Sequence, residues 1–452
     1  MKKMIARRSF LQTLCGTAAV GAMSVCSSPA ASAAFGETAV AGRQIAYLEP
    51  FDWGPGVTRT ILALDKYVWP QSVNAASFSV KETKPSFDFM TGQVSTLTCN
   101  RPVVAAYCCD QNGDRTQLPS NCIALEMECT PQQGYPIYAD SWQGRFGEDY
   151  QLKVTLTDAS TLRTVLGLPI TALDVDTIFD WDEAIIPVLK KANLNGHFTA
   201  SDGRSYRYAS FEPAENGEKH PLVVWLHGAG EGGTDVRLPL LGNKATALYS
   251  DKFQNLMGGA YVLAPQCPDF WLTYNENGDW QGNPGKDSVH LKAIEELIRT
   301  YAQEHSGVDM DRIYLTGCSN GGFMTMDLIL NYPDQYAAAV PCCEAFLDEA
   351  ITDEQINAIK NLPIWFVFAS SDPLVVPELY ELPTMERLHA AQATNVHASV
   401  FDKIVDRSGK YVNADGSPYD YGGHSCWVHF FNNDCVDEAG LNCWKWLAQQ
   451  SR

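Results

Sequence analysis

The stretch that most restricts how this chain folds is Ile313-Tyr314-Leu315-Thr316-Gly317-Cys318-Ser319-Asn320-Gly321-Gly322. An apolar, β-favouring run ends abruptly in Gly-x-Ser-x-Gly, and the helix-forming Phe323-Met324-Thr325-Met326-Asp327-Leu328-Ile329-Leu330 follows. Strand, tight turn and helix in that order leave the serine projecting alone at the tip of the turn. The flanking glycines lack Cβ and so tolerate close strand–helix approach. Ser319 is therefore a candidate nucleophile.

Around this stretch the second half of the chain alternates strand-like and helix-like segments. Leu222–Leu226, Ala260–Pro265, Ala337–Pro341, Ile364–Ala369 and Val396–Val400 read as strands, most of them continuous apolar runs. Between Ser288 and Gln303, Leu291, Ile294, Leu297, Ile298 and Tyr301 make one apolar helical face. Helices are also predicted near 352–360, 385–392 and 441–450. Alternating β and α with apolar strands predicts a mainly parallel sheet covered by helices on both faces.

This pattern resembles the α/β-hydrolase fold. That family orders its triad as nucleophile, acid and histidine, each after a successive strand. The resemblance implies Asp372 as the acid, because it lies on the loop beyond the strand ending at Ala369. It implies His424 as the base, in the Gly-rich Tyr421-Gly422-Gly423-His424 loop after the last strand. The chemistry needs these residue types. Serine is a weak nucleophile until a neutral imidazole accepts its proton, and the carboxylate fixes the imidazole tautomer. Glu344 and Glu378 are the rival acids and His429 the rival base.

Two backbone amides are expected to form the oxyanion hole. One is that of Asn320, after the nucleophile. By resemblance to the family's His-Gly-x motif, the other is that of Ala229 in His227-Gly228-Ala229-Gly230-Glu231-Gly232-Gly233, with His227 bonding the loop. This glycine-rich loop lacks the Lys-Ser/Thr of a phosphate cradle. Only a short connection separates Pro341 from Ile364, so no large lid is expected there, and bulky or polymer-linked esters are admissible substrates. An aromatic loop of Phe270, Trp271, Tyr274 and Trp280 is expected beside the pocket, with Trp271 either as an apolar subsite wall or as a packing residue. The Tyr411–Tyr421 loop is expected to form the other rim. Cys318 and Cys426 resemble the pair of cysteines that ties serine to histidine in tannases and feruloyl esterases. In this chain the second is two residues past the histidine.

From about Phe35 to Ile170 short β-rich runs alternate with turn residues, and the Asn112-Gly113 hairpin signal lies between two of them. This texture predicts an all-β sandwich. Asp65-Lys66-Tyr67-Val68, Ser72-Val73, Phe78-Ser79-Val80 and Asp149-Tyr150-Gln151-Leu152 resemble the immunoglobulin-like domain that precedes the hydrolase in a group of secreted carboxylesterases. Asp110, Asn112 and Asp114 imitate a calcium loop, but their glycine precedes the third position, so a polar hairpin tip is the better account.

The predicted organisation is thus an export signal over 1–34, an immunoglobulin-like domain over 35–170, an acidic linker over 171–195 with a helix around 181–191, and an α/β-hydrolase domain over 196–452. A chain of 452 residues suits two folded units. The formal charge is −20, and removing the four cations of residues 1–34 leaves −24. Such a surface repels phosphate backbones, so no nucleic-acid partner is expected. Lys2 to Arg8 is basic, Leu11 to Val25 is mildly apolar, and Ala31-Ser32-Ala33 offers a cleavage site. Arg7-Arg8-Ser9-Phe10-Leu11 resembles a twin-arginine signal, with an ordinary secretory signal as the alternative. A secreted or cell-envelope location follows, with no membrane span in the mature chain. Of fourteen cysteines, twelve follow the signal, which favours some disulfides in an exported protein. No zinc-type spacing occurs, and neither metal nor cofactor is expected. The first functional expectation is a serine esterase using an acyl-enzyme. A serine peptidase on the same scaffold is the alternative, since related sequences are often labelled predicted peptidases. A silent binding protein is the third, disfavoured by the intact Ser-Asp-His set. Oligomeric state is left open.

Overall fold

The computed structural model describes residues 38–88, 93–139, 143–273 and 287–452. The expected export signal, Tyr274 and Trp280 lie outside them.

The first part is built on two main β-sheets, with a two-stranded ribbon of Ile137–Ala139 and Gly144–Phe146 beside them. Five strands run in the order Ile170–Val175, Thr38–Phe51, Gly54–Val68, Ser120–Met127, Val103–Cys109, and three in the order Gln93–Arg101, Phe78–Asp88, Gln151–Leu156. Side chains alternate as strand geometry demands. In Gln151–Leu156, Leu152 and Val154 are buried while Lys153 and Thr155 face solvent. Leu152 and Val154 share one core with Leu48, Leu62, Ile123 and Leu125 of the other sheet. Within that core Arg101 and Glu82 are almost fully buried and paired. Tyr150 Oη donates to the same Glu82 Oε2 at 2.9 Å, and Arg101 also donates to the Val57 and Glu128 carbonyls. These bonds satisfy a pair whose desolvation would otherwise be costly. At the hairpin tip Asp110 Oδ1 accepts from the Asn112 and Asp114 amides, as a self-closing polar turn does.

The predicted helix over 181–191 does not form. Two short 3-10 turns, Trp181–Glu183 and Pro187–Lys191, take its place. Pro187 has no N–H to give a preceding carbonyl, so it starts a turn and cannot continue a helix. The acidic segment is not a free linker either. Trp181 is buried against Phe146, Tyr150 and Phe179 and donates its indole N–H to the Gly147 carbonyl.

The second part is an eight-stranded sheet: β1 (Asn193–Thr199), β2 (Ser205–Phe211), β3 (His220–Leu226), β4 (Tyr261–Gln266), β5 (Val308–Cys318), β6 (Ala338–Cys342), β7 (Ile364–Ala369) and β8 (Val396–Phe401). Their order is β1-β2-β4-β3-β5-β6-β7-β8. β2 runs antiparallel to both its neighbours, β1 at the edge and β4, and β3 to β8 are parallel. The two-sided burial predicted from apolar runs is seen residue by residue. In β7, Trp365, Val367 and Ala369 join the core on one face, and Ile364, Phe366 and Phe368 the core on the other. Helices Leu291–Glu304 and Asn320–Asn331 cover the second of these faces. No helix among the described residues is long and apolar enough to cross a membrane.

Candidate active site

Ser319 sits between the end of β5 and helix Asn320–Asn331 with φ 54° and ψ −117°, a conformation that costs a non-glycine residue on the order of 1–3 kcal/mol. Crowding enforces it. A Cβ on Gly317 would collide with the Gly321 carbonyl, and one on Gly321 with the Leu226 carbonyl at the end of β3. The Ser319 amide is held by the Cys342 carbonyl at 2.9 Å. The side chain remains partly accessible while Asn320, beside it, is buried.

The structure brings together three side chains from distant parts of the chain. His424 Nε2 is 2.9 Å from Ser319 Oγ, and His424 Nδ1 is 2.8 Å from Asp372 Oδ2. Asp372, on the loop after β7, is buried, and its Oδ1 accepts from the Leu374 and Val375 amides at 2.8 and 3.1 Å. Those two bonds leave Oδ2 aimed at the imidazole. Because Nδ1 faces a carboxylate, it carries the proton, and Nε2 is free to accept one from Ser319.

The rivals lie elsewhere in the geometry. His429 is buried against Phe401, with Asp434 at 3.7 Å as its nearest acid. Glu344 is fully buried and accepts from the Phe346 amide, and Glu378 is exposed.

Ala229 opens the single 3-10 turn Ala229–Glu231, and Asn320 opens the helix after the serine. First-turn amides have no acceptor within their own helix, which leaves both available to an anion. His227 is fully buried. Its Nε2 accepts from the Cys267 amide at 2.9 Å, and its Nδ1 lies 2.7 Å from the Gly228 carbonyl. Desolvation lowers its pKa to about 4, so it is a neutral strut. The Asn320 side chain has a task that sequence reading missed: Oδ1 accepts from the Leu272 amide at 2.9 Å, pinning the aromatic loop. Leu272 lies 48 residues away, so local pattern carries no signal of it.

Two expectations are corrected. Trp271 is completely buried and donates its indole N–H to the His227 carbonyl at 3.0 Å. A ring with no exposed face supports the loop from beneath and does not wall a subsite. The Cys318–Cys426 bridge is absent, and all twelve described cysteines are free thiols. Cys318 accepts from Asn243 Nδ2 at 3.2 Å, whereas Cys426 donates to the Val367 carbonyl and neighbours Cys342 and Cys343. Cys318 and Cys426 thus bond different groups, while both lie near Cys343. On the other rim, the Tyr411–Tyr421 loop is tied by Tyr421 Oη to Asp406, and Trp53 of the β part packs edge-on against Tyr411.

Among the described residues, metal-type donors gather in two places, Cys343 with Asp372 and His424, and Cys267 with Asp269 and His290. In the second, His290 Nε2 and Cys267 Sγ both bond Asp269 Oδ1, and Tyr206 Oη bonds His290 Nδ1 at 2.7 Å. That network anchors the loop after β4.

Comparison with known proteins follows the same division of the chain. Residues 213–408 match the family described as Phospholipase/Carboxylesterase, and residues 45–170 match the esterase Ig-like N-terminal domain. The first match includes Ala229, Ser319 and Asp372 and ends before His424. A solved thermostable esterase shares the fold with a TM-score of 0.65 at 24% identity, over 91% of this chain and 99% of that one. Poly(3-hydroxyalkanoate) depolymerase C of Paucimonas lemoignei is 26% identical over 156 residues, 32% of this chain and 34% of that protein. A probable carboxylesterase of Arabidopsis thaliana is 26% identical over 168 residues, 35% of this chain and 62% of that protein. The chain thus spans less than two thirds of each of these curated relatives.

Proposed function

We infer that this chain, whose residues 213–408 match the phospholipase/carboxylesterase family and whose residues 45–170 match the esterase Ig-like N-terminal domain, is a serine esterase that cleaves carboxylic esters through an acyl-enzyme. The observation that carries the reading is the unbroken chain of contacts from Ser319 Oγ through both imidazole nitrogens of His424 to Asp372. Ser319 Oγ gives its proton to His424 Nε2 as it bonds the ester carbonyl carbon. The carbonyl oxygen becomes an oxyanion and takes hydrogen bonds from the Ala229 and Asn320 amides. When the carbon–alcohol bond breaks, His424 returns the proton to the departing alcohol. Water then repeats the cycle on the acyl group, giving its proton to His424 as it bonds the carbonyl carbon. The bond to Ser319 Oγ breaks, and that oxygen recovers its proton. Asp372 holds the tautomer and stabilises the imidazolium throughout.

Export to the cell envelope or beyond, with the signal removed, is part of the proposal. Its support is the basic start followed by an apolar stretch and small residues. Passage in the folded state, as a twin-arginine route implies, suits the free thiols of the twelve described cysteines. The assignment is tested by assaying the purified mature chain and Ser319→Ala on aryl esters of graded chain length, feruloyl esters and peptide amides. Ester turnover that disappears in Ser319→Ala is expected. Ser319-dependent peptide cleavage without ester turnover would favour the peptidase.

A further inference from the structure

Glu231 ends the short turn that begins with Ala229, and its carboxylate folds back onto its own loop. Asn243 Nδ2 donates to Glu231 Oε2 at 3.1 Å and lies 3.2 Å from Cys318 Sγ. The same Oε2 packs against Gly228. The enclosure is tight. A Cβ on Gly228 would stand 3.1 Å from Glu231 Oε2 and 3.4 Å from Cys318 Sγ, and one on Gly242 would stand 2.6 Å from Glu231 Cγ. The loop backbone is held from its other side by Gln266 Nε2, which donates to the Glu231 carbonyl at 2.9 Å.

We infer that Glu231 is a positioning residue for the oxyanion hole. Its carboxylate holds Asn243 and packs against Gly228, fixes the direction of the adjoining Ala229 amide, and ties the loop through Asn243 to Cys318, the residue before the nucleophile. The inference rests on the serine-esterase reading of the site. A buried acceptor bonded to Asn243 and enclosed by Gly228 and Gly242 sets the loop more firmly than backbone preference alone, because a buried polar group left without its partner is costly. The titratable groups facing it are Tyr135 from the β part and Cys318, both kept neutral by burial. Burial raises the carboxyl to about 7, partly offset by the Gly228 backbone and Asn243. A glutamine, which keeps an acceptor of the same shape and never ionises, is therefore the informative replacement.

The test compares Glu231→Ala, Glu231→Gln and the parent chain on one aryl ester, with thermal melts of each. Misaligning one donor predicts that Glu231→Ala loses about 30-fold in kcat with KM within about twofold. Affinity for a trifluoromethyl ketone, whose tetrahedral adduct occupies the hole, should fall in parallel. Glu231→Gln should recover to within about threefold of the parent. Should Glu231→Ala not fold, Asn243→Ala decides in its place, with the same loss in kcat expected. Unchanged kcat in the folded variants would overturn the inference, as would losses in kcat and KM that follow the melting temperature. Absence of Ser319-dependent turnover in the parent chain would instead overturn the esterase reading itself.

Discussion

At the scale of residues, Ser319 combines a strained backbone with a side chain left partly open, and both follow from neighbours that allow no other path. Gly317 and Gly321 are legible in the sequence because the motif is local: five residues dictate a turn that any flanking strand and helix will produce. Asp372 and His424 are legible for a different reason, since each follows a recognisable strand in the expected order. The partners that orient these groups are not legible. Asn243 reaching Cys318, Asn320 reaching Leu272 and Cys267 reaching His227 span 75, 48 and 40 residues with no spacing to announce them. Trp271 illustrates the same limit, because an aromatic residue in a loop reads alike whether it faces a substrate or supports the loop from below. Asp372→Asn gives the residue-scale prediction. The amide keeps the shape, but its N–H₂ can turn toward Nδ1 and favour the wrong imidazole tautomer. A fall in kcat of about 10⁴-fold with little change in melting temperature is expected from steady-state kinetics. A loss below tenfold would remove Asp372 from the proposed mechanism.

At the scale of elements, strands β3 to β8 were recognisable from apolar runs, whereas β1 and β2 were not. These two strands carry exposed polar residues such as His197, Arg207 and Ser205, so their pattern resembles loop. The helix expected around 181–191 failed at Pro187. Another feature hidden from sequence is the contact between the segment after β6 and the helix Glu381–Ala390. Glu344 and Glu381, one from each, are both fully buried. Burial holds both carboxyls well above the usual range, and for Glu381 the neighbouring Glu344 adds to the effect. The folded state therefore keeps protons that the unfolded chain releases in the ordinary carboxylate range. Stability must fall as the pH rises from that range to neutral and above. Glu381→Gln removes this loss. Its apparent melting temperature should exceed the parent's by roughly 3–8 °C at pH 8 and match it near pH 4.5. An equal shift at both values would mean that the effect is packing and not ionisation.

At the scale of the whole molecule, the β part and the eight-stranded part meet around the candidate site. Asp52, in the turn between two strands of the β part, pairs with Lys244 at 2.7 Å, accepts from Asn432 at 3.0 Å and takes a long bond from Tyr421. Tyr421 lies three residues before His424, so the β part touches the loop that presents the proposed base. Sequence pattern could assign each part its class, because strand period and βα alternation are local. It could not reveal this meeting, which depends on the tips of loops. The central claim is that Ser319 carries the acyl group during turnover, and the measurement that tests it most directly is rapid-quench reaction with an aryl ester followed by peptide mass analysis. The account predicts a burst of one aryl alcohol per chain and a mass increase equal to the acyl group on the peptide containing Ser319, both lost in Ser319→Ala. Ester turnover that persists in Ser319→Ala, with no acyl group on that peptide, would contradict it.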